Sequence, residues 1–204
     1  MKNFSISNEC SFTFNFLLYT YNTVCNLYEG NSKKFPYIPL STEGIKNIEH
    51  FKFSFSEKWN NSILECDLLD NEYGNTAFVK WDNSNFLDPN KFSSLFCSNE
   101  VGQNLFKQIY DSFIVWWTHP IVGKYNLEHL SNNYVESIYN SSLSMSSSTN
   151  SDDTIKHISL QVIYDNSPLN CIQSSPSILI VKVDDLLDDR TRKEIVLNLK
   201  KILK

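Results

Sequence analysis

Cysteine and histidine side chains are the groups of this chain that could carry out nucleophilic chemistry. A cysteine thiolate attacks a carbonyl carbon when a neighbouring imidazole accepts the thiol proton. His119 is the histidine of interest, because it lies between Thr118 and Pro120 at the predicted end of a helix. Cys97 and Cys25 are the candidate nucleophiles. Cys97 comes just before a predicted helix start, where the positive end of the helix dipole favours a thiolate.

The same residues also have a structural interpretation. An imidazole at a helix end can bond the last free carbonyl groups, and this capping role accounts for His119 without catalysis. The five cysteines are odd in number, widely spaced and without a Cys-x-x-Cys pair. This pattern indicates reduced, buried thiols in an intracellular protein, cytoplasmic or nuclear, and it indicates no zinc site.

Four aspartates, Asp184, Asp185, Asp188 and Asp189, follow a predicted buried strand. Paired carboxylates at such a position can hold Mg²⁺ or perform acid–base chemistry. They also suit the cap and first turn of a predicted C-terminal helix, because carboxylates stabilise the positive end of a helix. The capping interpretation explains all four, so neither a metal nor another cofactor is predicted.

The chain contains none of the motifs that bind phosphate groups. Its five glycines form no G-x-G-x-x-G, Walker or G-x-S-x-G pattern, which disfavours a classical nucleotide-binding enzyme or serine hydrolase. No small-molecule ligand is indicated. The formal net charge is −5, and the 18 basic residues are mostly dispersed. Nucleic acid is therefore not the predicted partner, since a phosphate-binding groove needs a basic face.

Aromatic residues are the most distinctive part of the composition, with 14 Phe, ten Tyr and four Trp. Trp116, Trp117 and Tyr125 flank the bend at Pro120. Adjacent helical residues point about 100° apart, so Trp116 and Trp117 cannot both face the same core, and one of them should lie at the rim. Exposed Trp and Tyr are common anchors of protein interfaces. These three residues are the predicted interface.

Length and composition indicate one soluble domain spanning residues 1–204. A chain of 204 residues can bury most of the surface that its unfolded form exposes. Its 41% apolar and 20% charged residues are typical of globular proteins. No apolar run is long enough to span a membrane, and polar residues interrupt the N-terminal stretch, so no secretory signal is predicted.

The first half of the chain predicts a helix and then a β-meander. Apolar residues at helical spacing predict a helix over 14–28, although the alternation of Phe12, Phe14 and Phe16 with polar residues is also typical of a strand. Phe51, Phe53 and Phe55 alternate with polar residues, which is typical of a half-buried strand. With turns at Asn60-Asn61 and Gly74, three antiparallel strands are predicted. They cover 51–56, 62–69 and 76–81.

The second half predicts helices and then a β-β-α unit. Asp88-Pro89 and Ser98 are predicted helix starts, and a third helix is predicted over 126–139. The Ser- and Asn-rich segment 140–153 is a predicted flexible loop. Strands are expected over 158–164 and 177–183, the second inside the sheet, and a helix closes the chain. The fold class predicted is α+β, with an antiparallel β-meander, a helical segment and a C-terminal β-β-α unit.

The order of a helix, a meander, the dipeptide His119-Pro120 and further helices resembles the layout of ubiquitin-conjugating enzymes up to Tyr139. Those enzymes place the acceptor cysteine soon after the His-Pro element. In this chain the next cysteine is Cys171, beyond the serine-rich segment. The β-β-α unit also departs from their pattern, so membership of that family is not predicted.

The absence of catalytic motifs, together with the aromatic residues near Pro120, favours one function. The chain is predicted to be a non-enzymatic protein-interaction subunit, adaptor or inhibitor of a multiprotein assembly, and its expected partner is a protein. The alternative is a cysteine-dependent enzyme of conjugating or acyl-transfer type, with Cys97 or Cys25 near His119.

Overall fold

The computed structural model describes residues 4–28, 33–73, 75–145, 156–168 and 170–203. The protein is a mixed α/β structure, 64% helical, and its described strands form one small sheet. The strands are β1 (Phe4–Glu9), β2 (Lys156–Ile163) and β3 (Ile178–Lys182). They lie in the order β1-β2-β3, and both neighbouring pairs are parallel.

Helices make up most of the rest and pack around this sheet. They are α1 (Phe12–Tyr28), α2 (Ile48–Tyr73), α3 (Asn75–Leu87), a 3₁₀ helix (Pro89–Leu95), α4 (Glu100–Trp117), α5 (Lys124–Met145), α6 (Val183–Leu187) and α7 (Asp189–Ile202). Helix α5 contacts β1, α6 contacts β3, and α1 and α2 contact β2 and β3 respectively. Among the described residues, no helix combines the length and the apolar character needed to cross a membrane.

The predicted antiparallel meander is wrong, because all three of its strands are helical. Residues 51–56 and 62–69 belong to α2, and 76–81 belong to α3. The buried residues of α2 recur at helical spacing, whereas Phe53 is 64% exposed and faces solvent. That buried stripe consists of Phe51, Phe55, Trp59, Ile63 and Cys66. The resemblance to ubiquitin-conjugating enzymes, which depended on the meander, fails with it.

The two predicted C-terminal strands exist and pair with each other in parallel, but the sheet that contains them differs from the predicted one. Strand β2 is the central strand, because the N-terminal strand β1 pairs with it in parallel, with Ile6 opposite Ile158. Strand β3 is at the edge, not inside the sheet. It is nevertheless buried, since the segment before it covers part of its outer edge: the N–H of Ile180 donates to the carbonyl of Gln173 at 2.8 Å.

Helix α1 lies at the centre of the molecule and confirms the predicted N-terminal helix. Thirteen of its 17 residues are buried, including polar ones. The side chain of Asn15 provides hydrogen-bond partners for backbone groups at the end of β2. Its amide nitrogen donates to the Val162 carbonyl at 3.0 Å, and its oxygen accepts from the N–H of Tyr164 at 3.1 Å. The helix is thereby tied to the sheet through a side chain that acts like a backbone partner.

Several helix ends differ from the predicted ones. Asp88 precedes the 3₁₀ helix, but its side chain forms no capping hydrogen bond. Asn99, not Ser98, caps α4 by accepting from the N–H of Gly102 at 2.9 Å. The predicted loop 140–153 is helical as far as Met145, and its remaining residues lie outside the described ranges.

Candidate functional site

The structure places the predicted Cys–His partners in different locations. Cys25 is buried in α1 and is 7% exposed. Cys97 is half-buried and lines a groove of about 420 Å³, whereas His119 lines another groove at the end of α4. The ring nitrogen Nδ1 of His119 accepts a hydrogen bond from the N–H of Ile121 at 3.2 Å. His119 therefore stabilises the turn after α4, although through an N–H and not through the carbonyl groups expected.

The groove of Cys97 contains a different imidazole. His50, at the start of α2, lines it together with Cys97 and Gln103. The backbone of Cys97 is held firmly, because its N–H donates to the Gly44 carbonyl at 3.0 Å. A methyl group on Gly102 would lie 2.0 Å from the Cys97 carbonyl oxygen, so only glycine allows this approach. A thiol and an imidazole thus share one groove, and His50 was not foreseen from the sequence.

We expect iodoacetamide to label Cys97 at least about tenfold faster than any other cysteine in the folded protein. The other four are buried, and burial raises the pKa of Cys10 to about 12 and that of Cys171 to about 11. Mass spectrometry of tryptic peptides measures each rate, and the variant Cys97→Ser is the control. Equal and slow labelling of all five thiols would contradict this expectation and remove the support for a reactive cysteine.

Three of the four predicted aspartates have separate structural partners. Asp188 caps α7, and the bond from the N–H of Thr191 lowers the pKa of its carboxyl. Asp184 pairs with Lys182 at 2.9 Å, and Asp189 pairs with Arg192. Partial burial raises the pKa of Asp185. Over the ranges that the structure describes, no group of three or more potential ligands is arranged to hold a metal ion.

The predicted interface residues differ in how far they are exposed. Trp117 is buried and stacks on Phe113, with ring centroids 5.3 Å apart. Trp116 is half-buried and lies 5.0 Å from the Tyr164 ring and 5.8 Å from the Tyr19 ring. Tyr125 is 63% exposed. Both tryptophans therefore contribute to packing, and Tyr125 is the member of the set that faces solvent.

Tyr125 belongs to an exposed apolar surface where α4 turns into α5. Gly123 makes this turn with a φ of +62°, and a side chain there would collide with the backbone of Trp116. Four apolar side chains within eleven residues are exposed around the turn. We call them the corner surface, and they are Val115 (71% exposed), Ile121 (73%), Val122 (39%) and Tyr125 (63%).

A groove of about 500 Å³ opens beside the corner surface, between α3 and the start of α5. We call it the corner groove. Aromatic rings form much of its wall, from Phe12, Phe86, Trp117 and Tyr125. Its charged residues are Asp82, Lys124 and Glu128. These residues come from distant parts of the chain and meet because α1, α3, α4 and α5 converge here.

Carboxylates outnumber ammonium groups in and around the corner groove. Asp82 is used in capping, because its carboxylate accepts from the N–H groups of Phe12 and Thr13 and from the hydroxyl of Ser11. Lys124 pairs with Glu128 at 3.6 Å. Burial raises the pKa of the neighbouring Glu9; the Lys124 charge opposes this rise, and the Asp82 and Glu128 carboxylates add to it. Three carboxylates thus lie near one ammonium group.

The fold and its surface define a mixed α/β protein with a small parallel sheet, a central buried helix and an aromatic, acidic groove. The chain matches no protein-family model, no curated protein and no solved structure among those with which it was compared. Its function must therefore be argued from its own residues.

Proposed function

We propose that this protein is a non-enzymatic interaction subunit, adaptor or inhibitor that docks a protein partner through the corner surface. The observation that supports this proposal is the cluster of exposed apolar side chains, in which Ile121 is 73% and Val115 71% exposed. Single exposed apolar residues are common, but four of them around one turn present more apolar surface than an isolated side chain does. Apolar surface that a partner can cover is typical of binding sites.

The chemistry of the corner surface suits a protein partner. Tyr125 offers a large ring at low conformational cost, and rings of this kind act as anchors in interfaces. The turn that carries Ile121 and Val122 is held by Gly123 and by the bond from Ile121 to His119, so the surface is ordered before binding. A pre-organised apolar surface loses little conformational entropy when a partner covers it.

A cysteine-dependent enzyme of conjugating or acyl-transfer type is the second candidate function. The observation that favours it is that Cys97 and His50 line the same groove. In this version His50, and not His119, would accept the thiol proton. Slow labelling of Cys97 in the experiment described above would dispose of this candidate, because acyl transfer through Cys97 requires a reactive thiol. Fast labelling agrees with both functions, since Cys97 is the least buried of the five cysteines.

The substitution Ile121→Asp is expected to reduce capture of a partner from the native cells at least about tenfold, because it places a charge in the apolar contact. Leu68→Asp is the matched control, since Leu68 is 66% exposed on α2, away from the corner surface. Quantitative mass spectrometry compares the proteins that co-purify with each variant.

A protein that co-purifies with the parent chain and with Leu68→Asp, but is lost with Ile121→Asp, would support the docking surface. Two results would contradict it. One is equal recovery with both variants, and the other is elution of the native protein as a monomer alone on size exclusion.

A further inference from the structure

The corner groove combines two features that attract a cation. Ring faces carry negative potential, so a cation within about 6 Å of a ring centroid is attracted. Four aromatic residues line the groove, and two of them, Phe12 and Trp117, are buried in its floor. Phe86 is 38% and Tyr125 63% exposed, so these two rings are open to a cation. The opening of about 500 Å³ lies within the usual range for sites that enclose small groups, roughly 300 to 1,000 Å³, so a long side chain fits.

The second feature is a local excess of carboxylates. Asp82 and Glu128 line the groove together with Lys124, which is already paired with Glu128. Glu9 lies outside the lining, but close enough for the charges of all three to act on its carboxylate. In the part of the chain that the structure describes, the Glu9 carboxylate takes part in no hydrogen bond or ion pair. Its pKa is raised mainly by burial, as expected for a carboxylate removed from water without a full counter-charge.

We infer that the corner groove receives a lysine or arginine side chain of the protein partner, with the aliphatic stem against the rings and the cationic head near Glu9 and Glu128. This inference rests on the proposed docking function and adds the chemistry of the partner. The groove complements a basic side chain in both charge and surface character. An acidic or neutral side chain would leave the Glu9 carboxylate without a counter-charge of its own, because Lys124 is paired with Glu128.

A partner with a basic segment also agrees with the charge of the whole chain. The formal net charge of −5 attracts basic proteins over long range and speeds their association. The groove would then act locally, because an ion pair that is partly removed from water is stronger than one at an open surface.

The test uses small probes that present one side chain each: the Nα-acetyl, N-methylamide derivatives of arginine, lysine, glutamine and glutamate. Binding is followed by NMR through the indole N–H of Trp117 and the ring of Tyr125, which both line the groove. We expect the arginine and lysine probes to bind about tenfold more tightly than the other two. Their binding should weaken as salt is added.

Variants that replace a carboxylate by a neutral amide show which groups attract the basic probes. The double variant Glu9→Gln, Glu128→Gln is expected to weaken binding of the basic probes about tenfold. Glu136→Gln is the matched control, because Glu136 is an exposed residue of the same helix as Glu128. Asp82 stays unchanged, since it holds the start of α1. Equal weakening by Glu136→Gln would show attraction by overall charge and overturn the inference.

The results for the probes and for partner capture separate the two proposals. If the four probes bind equally while Ile121→Asp still abolishes capture, docking through the corner surface is supported. The inference that the groove receives a basic side chain is then contradicted. If the basic probes bind selectively but Ile121→Asp leaves capture unchanged, docking through this surface is wrong, and so is the assignment of the cation to a protein partner. Both proposals are supported when selective probe binding and loss of capture occur together.

Discussion

Replacing Trp59 with alanine is expected to lower the free energy of unfolding by about 4 kcal/mol, the largest effect of any substitution considered for this protein. Trp59 is fully buried in α2, with its ring 5.2 Å from the ring of Phe14 and 5.9 Å from that of Phe55. Its Nε1 also donates to the Ile172 carbonyl at 2.9 Å, so the substitution removes a hydrogen bond and opens a large cavity. Urea unfolding followed by circular dichroism measures the change.

Two further variants separate the causes of this loss. Phe53→Ala, on the same helix but 64% exposed, is expected to cost less than about 1 kcal/mol. Trp59→Phe keeps most of the ring and loses the bond to Ile172, so a cost of about 2 kcal/mol is expected. A cost below about 1 kcal/mol for Trp59→Ala would mean that α2 is not packed as described.

The second large effect is expected for Asp82→Ala, at about 3 kcal/mol. The Asp82 carboxylate, carried by α3, accepts hydrogen bonds at 2.7 to 2.9 Å from three donors at the start of the buried helix α1. Without it, the Ser11 hydroxyl and the N–H groups of Phe12 and Thr13 lose a partner in surroundings with little water. Thermal or urea unfolding of the variant measures the loss.

Asp88→Ala is the matched control for Asp82→Ala. Asp88 also precedes a helix, but its side chain forms no capping bond, so its removal should change stability by less than about 0.5 kcal/mol. Equal costs for the two variants would show that the loss comes from a change of charge and not from the bonds to α1.

Helix α2 shows why a local pattern misled the prediction of the fold. The alternation of Phe51, Phe53 and Phe55 fits a strand, yet Phe51 and Phe55 are also four residues apart. The helical pattern extends further, through Trp59, Ile63 and Cys66, and all of these are buried. A pattern that persists over four turns buries more area than one of three residues, so the helix is the more stable solution.

The sheet could be predicted only in part. The apolar patterns of β2 and β3 predict where both strands lie. They do not predict whether the strands pair in parallel or antiparallel, because the strand that pairs with each one lies elsewhere in the chain. Strand β1 was missed, although Phe4 and Ile6 alternate with Ser5 and Ser7. It becomes a strand by pairing with β2, which supplies its hydrogen bonds.

The aromatic residues near the candidate site could be named from the sequence, whereas its charged residues could not. Trp116, Trp117 and Tyr125 pointed to the turn between α4 and α5, where the corner surface lies. Glu9 and Glu128 are far apart in sequence, and only the packing of β1 and α5 brings their charges together. The same holds for Cys97 and His50. They lie in different elements of the structure, so no characteristic sequence spacing predicts that they line the same groove.

The distance along the chain between β1 and β2 has a consequence for biosynthesis. Ser5 and His157, which pair across these strands, are 152 residues apart. At roughly 5 to 20 residues per second, a ribosome needs on the order of ten seconds or more to make the intervening chain. Throughout that interval the apolar surface of α1 lacks its final cover. Because exposed apolar surface promotes aggregation, translation products that end before β2 are expected to aggregate more readily than the full chain.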